Sequence, residues 1–265
     1  MDAALRRRWL GRMARWSGAA AWAAMVPVAL VSRPGRAIAR PRALRAVALA
    51  IPPFATLDAG GRKSGLFVEA LELISHESRH QIEITVAPYA RAIAMLRSGE
   101  ADLMIATSNS AVAEAAEPMG MLWTTEVIAI GRPGLKLEGL QDLRGRTVGM
   151  LRGSDYGAAF LDDHEYRKHE ITDQLQGIRM LLEGRLDASI GTRLGVFHAM
   201  RLLGVPRGRL GGTLAVQTRE IHLHLSRHNT DEALATELRR AVHELRSSGK
   251  ADALLAKYLA GLPAA

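Results

Sequence analysis

The segment MLRSGEADLMIA (Met95 to Ala106) returns in outline as MLLEGRLDASIG (Met180 to Gly191). Each reads as the end of a helix, a stop and a strand. Gly99 and Gly184 stand where a helix closes in a left-handed residue, a conformation glycine adopts without strain. Asp102 and Asp187 then open the strand. A second likeness links LRAVALAIPP (Leu44 to Pro53) with GRTVGMLRGS (Gly145 to Ser154), each a strand running into a turn-rich loop. Halves that begin and end alike imply two units built on related plans.

Apolar runs of strand length alternate with amphipathic runs of helix length, the pattern of an α/β fold with largely parallel sheets. Strands are predicted over Leu44 to Ala50, Ile82 to Ala87, Leu103 to Ala106, Trp123 to Ile130, Thr147 to Met150, Ala188 to Gly191, Thr213 to Gln217 and Ile221 to Leu225. The clearest helices run from Leu66 to Ser75, Tyr89 to Arg97, Tyr156 to Asp163, Asp173 to Glu183, Thr192 to Leu203 and Asp231 to Ser247. The first unit then spans residues 40–130, the second 131–220, and residues 221–265 return to the first with the C-terminal helices. The chain crosses at Glu126 to Pro133 and comes back at Arg219 to Ser226. Two crossings imply a two-lobed body with a cleft and a two-strand hinge. Ligands of open α/β sheets bind beyond the carboxyl ends of the strands, so the loops there are the candidate site.

The formal charge of +8 suggests nucleic acid until its distribution is inspected. Residues 1–39 hold seven arginines and one acid, leaving 28 basic against 26 acidic side chains in the remainder. No nucleic-acid partner is expected of so balanced a chain. The excess sits in a basic start, followed by an alanine-rich apolar stretch (Ala19 to Val31) and Ala37-Ile38-Ala39, a small-x-small cleavage pattern. Residues 1–39 therefore read as a signal peptide cut after Ala39, with a periplasmic product. Arg6-Arg7-Arg8-Trp9-Leu10 is similar to the twin-arginine signal, which leaves the export route open. The apolar stretch is short for a spanning helix and contains Pro27. The chain has no cysteine, which excludes a disulfide framework, a thiolate metal site, a cysteine nucleophile and lipid attachment at an N-terminal cysteine.

Five segments, IPPFATLDAGGRKSGLFVEAL (Ile51 to Leu71), PYARAIAMLRSGEADLM (Pro88 to Met104), DLRGRTVGMLRGSDYG (Asp142 to Gly157), LLEGRLDAS (Leu181 to Ser189) and KADALLAKYL (Lys250 to Leu259), stand in an order and spacing that resembles the family 3 extracellular solute-binding proteins, the type 2 periplasmic binding proteins known for capturing polar amino acids. The resemblance implies two lobes, each a mostly parallel sheet flanked by helices, closing on a small ligand about a two-strand hinge. It implies a monomer that docks on the inner-membrane permease of an ABC transporter, with no cofactor and no catalysis.

Phe54 sits where the family places an aromatic face; it either meets the ligand or plugs the core. Tyr89 and Arg91 open a helix behind Pro88, a residue suited to a helix start. Arg91 offers a planar fork to a carboxylate, or pairs with an acid such as Glu100. Thr107, Ser108 and Asn109 bring short polar side chains to a strand end, for a ligand or for a turn. Arg152, Ser154 and Asp155 join a strand to a helix, where backbone N–H groups hold an anion or Ser154 or Asp155 caps the helix. Thr192 follows the matching strand of the second unit.

Two departures weigh against an α-amino acid. Relatives that bind one carry an arginine soon after the loop corresponding to Thr107 to Ser110, and here the stretch reads SNSAVAEAAEP. They also present an aspartate where this chain has Gly191-Thr192-Arg193. An acid held by Arg91, Arg152 or Arg193 is the expected ligand. His222 with His224 and His76 with His80 have ligand-like spacing but no third partner, so no metal is expected. The alternatives are a prephenate-type dehydratase on the same fold, using Glu126, Asp155 or Glu220 as general acid, and a soluble accessory that presents its ligand to a membrane sensor.

Overall fold

The computed structural model describes residues 42–154, 156 and 165–262. The predicted signal peptide, Asp155 and most of the helix predicted over Tyr156 to Asp163 lie outside the described residues.

The repeat becomes a pair of matching parallel trios. In the first, β1 (Leu44–Leu49) lies between β4 (Ile82–Ala87) and β5 (Leu103–Thr107). In the second, β7 (Thr147–Leu151) lies between β8 (Arg167–Ile171) and β9 (Ala188–Thr192). Two long antiparallel strands stand between the trios: β6 (Ala116–Gly131) and β10 (Thr213–Ser226). The sheet order is β4-β1-β5-β10-β6-β9-β7-β8. Strand β5 pairs antiparallel with the Ile221 to Leu225 end of β10, and β9 pairs antiparallel with the Val127 to Gly131 end of β6. A hairpin of β2 (Thr56–Leu57) and β3 (Lys63–Ser64) stands apart.

The aspartates of the repeat lock the trios by one device. Asp102 donates its N–H to Arg45 O at 2.7 Å, while its carboxylate accepts the Arg45 N–H at 2.9 Å and the Arg45 guanidinium. Asp187 donates to Thr147 O at 2.9 Å and accepts the Thr147 N–H at 2.9 Å and the Arg132 guanidinium at 3.0 Å. Burial alone would raise the Asp187 carboxyl, but the Thr147 N–H and Arg132 outweigh it and hold it below the usual carboxylate range. The preceding glycines are left-handed, Gly99 at φ 69° and Gly184 at φ 71°.

Helices α1 (Leu66–Ser78), α2 (Tyr89–Arg97) and α3 (Ser110–Ala115) belong to the first half; α4 (Gln174–Leu182) and α5 (Arg193–Leu202) belong to the second. The closing helices α6 (Glu232–Ser247) and α7 (Lys250–Leu259) pack on the first half. The Trp123 indole donates to Ala251 O at 2.8 Å, and Lys257 and Tyr258 both hold Glu69. Pro41–Ala265 forms one compact unit, with one apolar cluster around β1, β5 and α1 and two others around β7, β9 and α5.

Besides the short hairpin of β2 and β3 and two single turns, four elements differ from the sequence reading. Strand β8 presents Arg167 to Glu170 to solvent and buries only Ile171, as a charged edge strand does, so it shows no apolar alternation. Strand β6 begins at Ala116 rather than Trp123, because irregularities in its pairing accommodate Pro118 and Gly120. The two strands predicted over 213–225 are one strand with shifts of register. Helix α3 is a six-residue turn of helix, too short to show a period.

Candidate functional site

The carboxyl ends of the parallel strands of both halves converge on one cavity of about 90 Å3. The first half supplies Ile51 and Phe54 after β1, Tyr89 opening α2, and Thr107 and Asn109 at the end of β5. The second supplies Leu151 and Ser154 after β7, Tyr156, Gln174 opening α4, and Thr192 closing β9. Val127 of β6 and Arg219 and Ile221 of β10 complete it between the two. Space of this size holds several waters or a small organic molecule.

Phe54 is both wall and core: it is 6% exposed and stacks on Phe67 with ring centroids 4.8 Å apart. Its loop rests on the first turn of α1, where Leu66 N donates to Pro53 O at 3.0 Å and Phe67 N to Phe54 O at 2.8 Å. That approach requires Gly65, at φ 126°, where a Cβ would stand 2.6 Å from Phe54 O. The Asn109 amide donates to the Tyr89 hydroxyl at 2.6 Å while its Oδ1 caps α3 by accepting from Val112 N at 2.9 Å. Thr192 caps α5 through Gly195 N at 3.2 Å.

Aromatic rings from the first half reach glycines of the second. A Cβ on Gly153 would meet Tyr89 Cδ1 at 3.4 Å, and one on Gly195 would meet Phe54 Cε2 at 3.7 Å. The two halves thereby approach each other at two points beside the cavity.

Of the residues expected from sequence, Phe54, Tyr89, Thr107, Asn109, Ser154 and Thr192 line the cavity together. The three arginines expected to hold an acid do not. Arg91 makes two 2.9 Å bonds to Glu100, the pairing that its sequence context offered as the alternative. Arg152 pairs with Glu170 at 2.8 Å, and Arg193 pairs with Glu126 in a separate recess. Ser108 is exposed and contributes its carbonyl, which accepts from the Arg219 guanidinium. Backbone N–H groups expected to face an anion are used internally: Arg152 N bonds Ile171 O and Ser154 N bonds Leu151 O, each at 3.0 Å. Asp155 lies outside the described residues.

Sequence reasoning missed Arg219, Gln174 and Tyr156 as lining residues. Arg219 opens the stretch recognised as the return crossing, but a lone arginine in a strand carries no motif. Gln174 follows the N-cap Asp173 and is 3% exposed, a buried polar position that no periodicity marks. Burial pushes the Tyr156 hydroxyl up to about 12, so it stays protonated; Ser154 and the Leu151 backbone oppose the shift.

Among the described residues, no carboxylate lines the cavity and no group of three or more His, Asp or Glu could hold a metal ion. His80 instead meets Glu237 at 2.6 Å, and His222 meets Glu220 at 2.9 Å. No helix of the described residues is long and apolar enough to cross a membrane.

No curated protein sequence matches this chain. Many solved structures do. A histidine kinase sensor domain with similarity to periplasmic binding proteins superposes with a TM-score of 0.71 at 18% identity, covering 84% of this chain and 98% of its own. The arginine-, lysine-, histidine-binding protein of the thermophilic bacterium Geobacillus stearothermophilus gives 0.66 at 16% identity, covering 83% and 96%. An ancestral amino acid-binding protein, a precursor of cyclohexadienyl dehydratase, gives 0.68 at 16% identity, covering 82% and 95%. At such identities the likeness speaks for the fold alone. A family profile, described as bacterial extracellular solute-binding proteins, family 3, matches residues 45–261. With that match over most of its length and a fold to suit it, the chain belongs to the bacterial extracellular solute-binding proteins, family 3.

Proposed function

We propose that the protein is exported to the periplasm by its leader, residues 1–39, captures a small carboxylate-bearing solute in the cavity between its two halves, and delivers it to an ABC-type importer. The observation that carries this is the cavity itself, walled by both halves at the carboxyl ends of their strands, with Tyr89 and Phe54 reaching glycines of the opposite half. Such a site binds by enclosure, and β6 and β10, which stand between the two parallel trios, are the natural hinge.

Binding rather than catalysis fits the lining. A dehydratase needs a general acid beside its substrate; of the three acids considered, Glu126 and Glu220 are paired with Arg193 and His222 outside the cavity, and Asp155 lies outside the described residues. The likeness to a histidine kinase sensor domain favours a second reading, in which the closed form docks on a membrane receptor. Capture of partners from membranes by the liganded protein separates the two: a permease supports transport, a receptor kinase supports sensing.

Thermal unfolding against amino acids, carboxylates, polyamines and sugar acids tests the proposal. A ligand at a hundredfold its Kd adds about 2.7 kcal/mol, which raises the midpoint by about 5 to 10 °C. A shift with carboxylates is the expected outcome. No shift with any solute, together with turnover of prephenate, would overturn it.

A further inference from the structure

Positive charge without a partner gathers away from the cavity, on the outer flank of α6. There an open groove of about 380 Å3 is lined by Arg239, His243 and Arg246 of the helix and by Gly120 and Met121 of β6. Among the described residues, it shares none with the cavity. We infer that this groove docks an acidic segment of a partner protein.

Arg239, His243 and Arg246 fall at i, i+4 and i+7, so one flank of the helix carries all three. Among the described residues none pairs with them, whereas Arg45, Arg91, Arg97 and Arg227 of the first half each hold a carboxylate. Glu117 and Asp231 border a neighbouring depression with Arg239, but both are engaged. Glu117 pairs with Arg227, and the Asp231 carboxylate accepts the Ala233 and Leu234 N–H groups that open the helix. Glu232 stands two turns before Arg239, at the helix start, where the dipole favours an acid. Glu237 and Glu244 lie on the opposite flank, and Glu237 meets His80 there at 2.6 Å.

Backbone shapes the groove as much as side chains do. In its pairing with β10, strand β6 carries an extra residue at Met119 and another at Leu122, one on each side of the two residues that line the groove. Such bulges bend a strand and re-aim its side chains. Between them Gly120 stands at φ 149°, and a Cβ there would stand 2.8 Å from Val242 Cγ1, so the seat of α6 against β6 requires glycine. A helix and a strand packed this closely make a stiff wall.

The spacing of the charges sets the occupant. Arg239 and Arg246 are about 10 Å apart along the helix axis, a span that suits two anionic groups rather than one. Carboxylates a few residues apart on an extended chain, which rises about 3.3 Å per residue, match it. Each guanidinium then offers one carboxylate a planar two-pronged grip, with the His243 ring between them. A concave groove admits a protruding segment rather than a flat lipid surface. With 28 basic against 26 acidic side chains beyond residue 39, the chain as a whole has little pull toward anionic lipid. Met121 gives a docked segment an adaptable apolar contact.

Calorimetric titration of the protein with a capped peptide of alternating glutamate and alanine, and with its twin carrying glutamine for glutamate, tests the inference. The acidic peptide is expected to bind about tenfold or more tighter than its twin, and to weaken as salt rises through about 0.1 M. Arg239→Gln combined with Arg246→Gln should weaken the acidic peptide about tenfold or more. Arg240→Gln removes the same charge from another flank of α6 and should leave the affinity nearly unchanged. All three arginines are exposed, so the variants should keep the unliganded unfolding midpoint. Equal binding of the two peptides, no binding of the acidic one, or a loss in Arg240→Gln that matches the double variant overturns the inference. So does attachment to phosphatidylglycerol vesicles by a protein that ignores the peptide. None of these outcomes touches the reading of the cavity as a solute site.

Discussion

His224 is 1% exposed, and its Nε2 lies 3.3 Å from the Ala106 carbonyl, where β10 meets β5. Burial, and secondarily the nearby His222 ring, push its pKa down to about 4 against the opposing bond from Ala106. A folded value below the unfolded 6.5 means that the unfolded chain binds the extra proton between those limits. Stability is therefore full above pH 6.5 and falls as pH drops toward 4, by about 3 kcal/mol for this group. Burial also lowers the half-buried His198, which adds to the same window. Urea unfolding between pH 7 and 4 should show the slope, and His224→Gln should remove most of it; an unchanged slope would place its origin elsewhere. Single residues also show where sequence reading stops. Thr107, Asn109 and Thr192 were legible because short polar residues at strand ends follow from the fold class. Arg219 and Gln174 were not, because nothing in a lone side chain tells which face of a strand or helix turn meets a distant loop.

At the scale of elements, the repeat is a lock made twice. Asp102 joins β5 to β1 and Asp187 joins β9 to β7, each by a carboxylate that accepts the backbone N–H of the neighbouring strand's start. Hydrogen bonds to a charged acceptor contribute about 1.5 to 3 kcal/mol, so Asp102→Ala and Asp187→Ala should each cost about that much. The two share no partner, so the double variant should lose close to the sum. Urea midpoints for the two singles and the double check this, and a neutral Asp187→Ala would show that the second lock is not equivalent to the first. The glycine-aspartate landmarks predicted these junctions because helix stops and strand starts are local chemistry. Strand β8, the counterpart of β4, escaped because an edge strand with four exposed polar residues has no apolar face to declare it.

For the whole molecule, the relation between the halves runs through β6 and β10, and Trp123 reports on it. With residues 1–39 removed it is the sole tryptophan, since Trp9, Trp16 and Trp22 lie within them. It is 4% exposed on β6 and borders a recess whose lining shares Phe54 and Ile221 with the cavity. Ligand-driven closure about β6 and β10 should therefore shift its emission in step with calorimetric binding. Saturation without any change in emission would mean that the ligand binds without moving the halves. The sequence by itself determined the α/β class and most of its strands and helices, because each rests on period, punctuation and turn chemistry within a few residues. The tertiary structure alone decided which of the arginines lines the cavity. Arg91, Arg152 and Arg193 are each paired with an acid, and Arg219 stands at the cavity because two strands distant in sequence carry it there. Pairing of this kind depends on distances through space, and no local pattern in the chain encodes them.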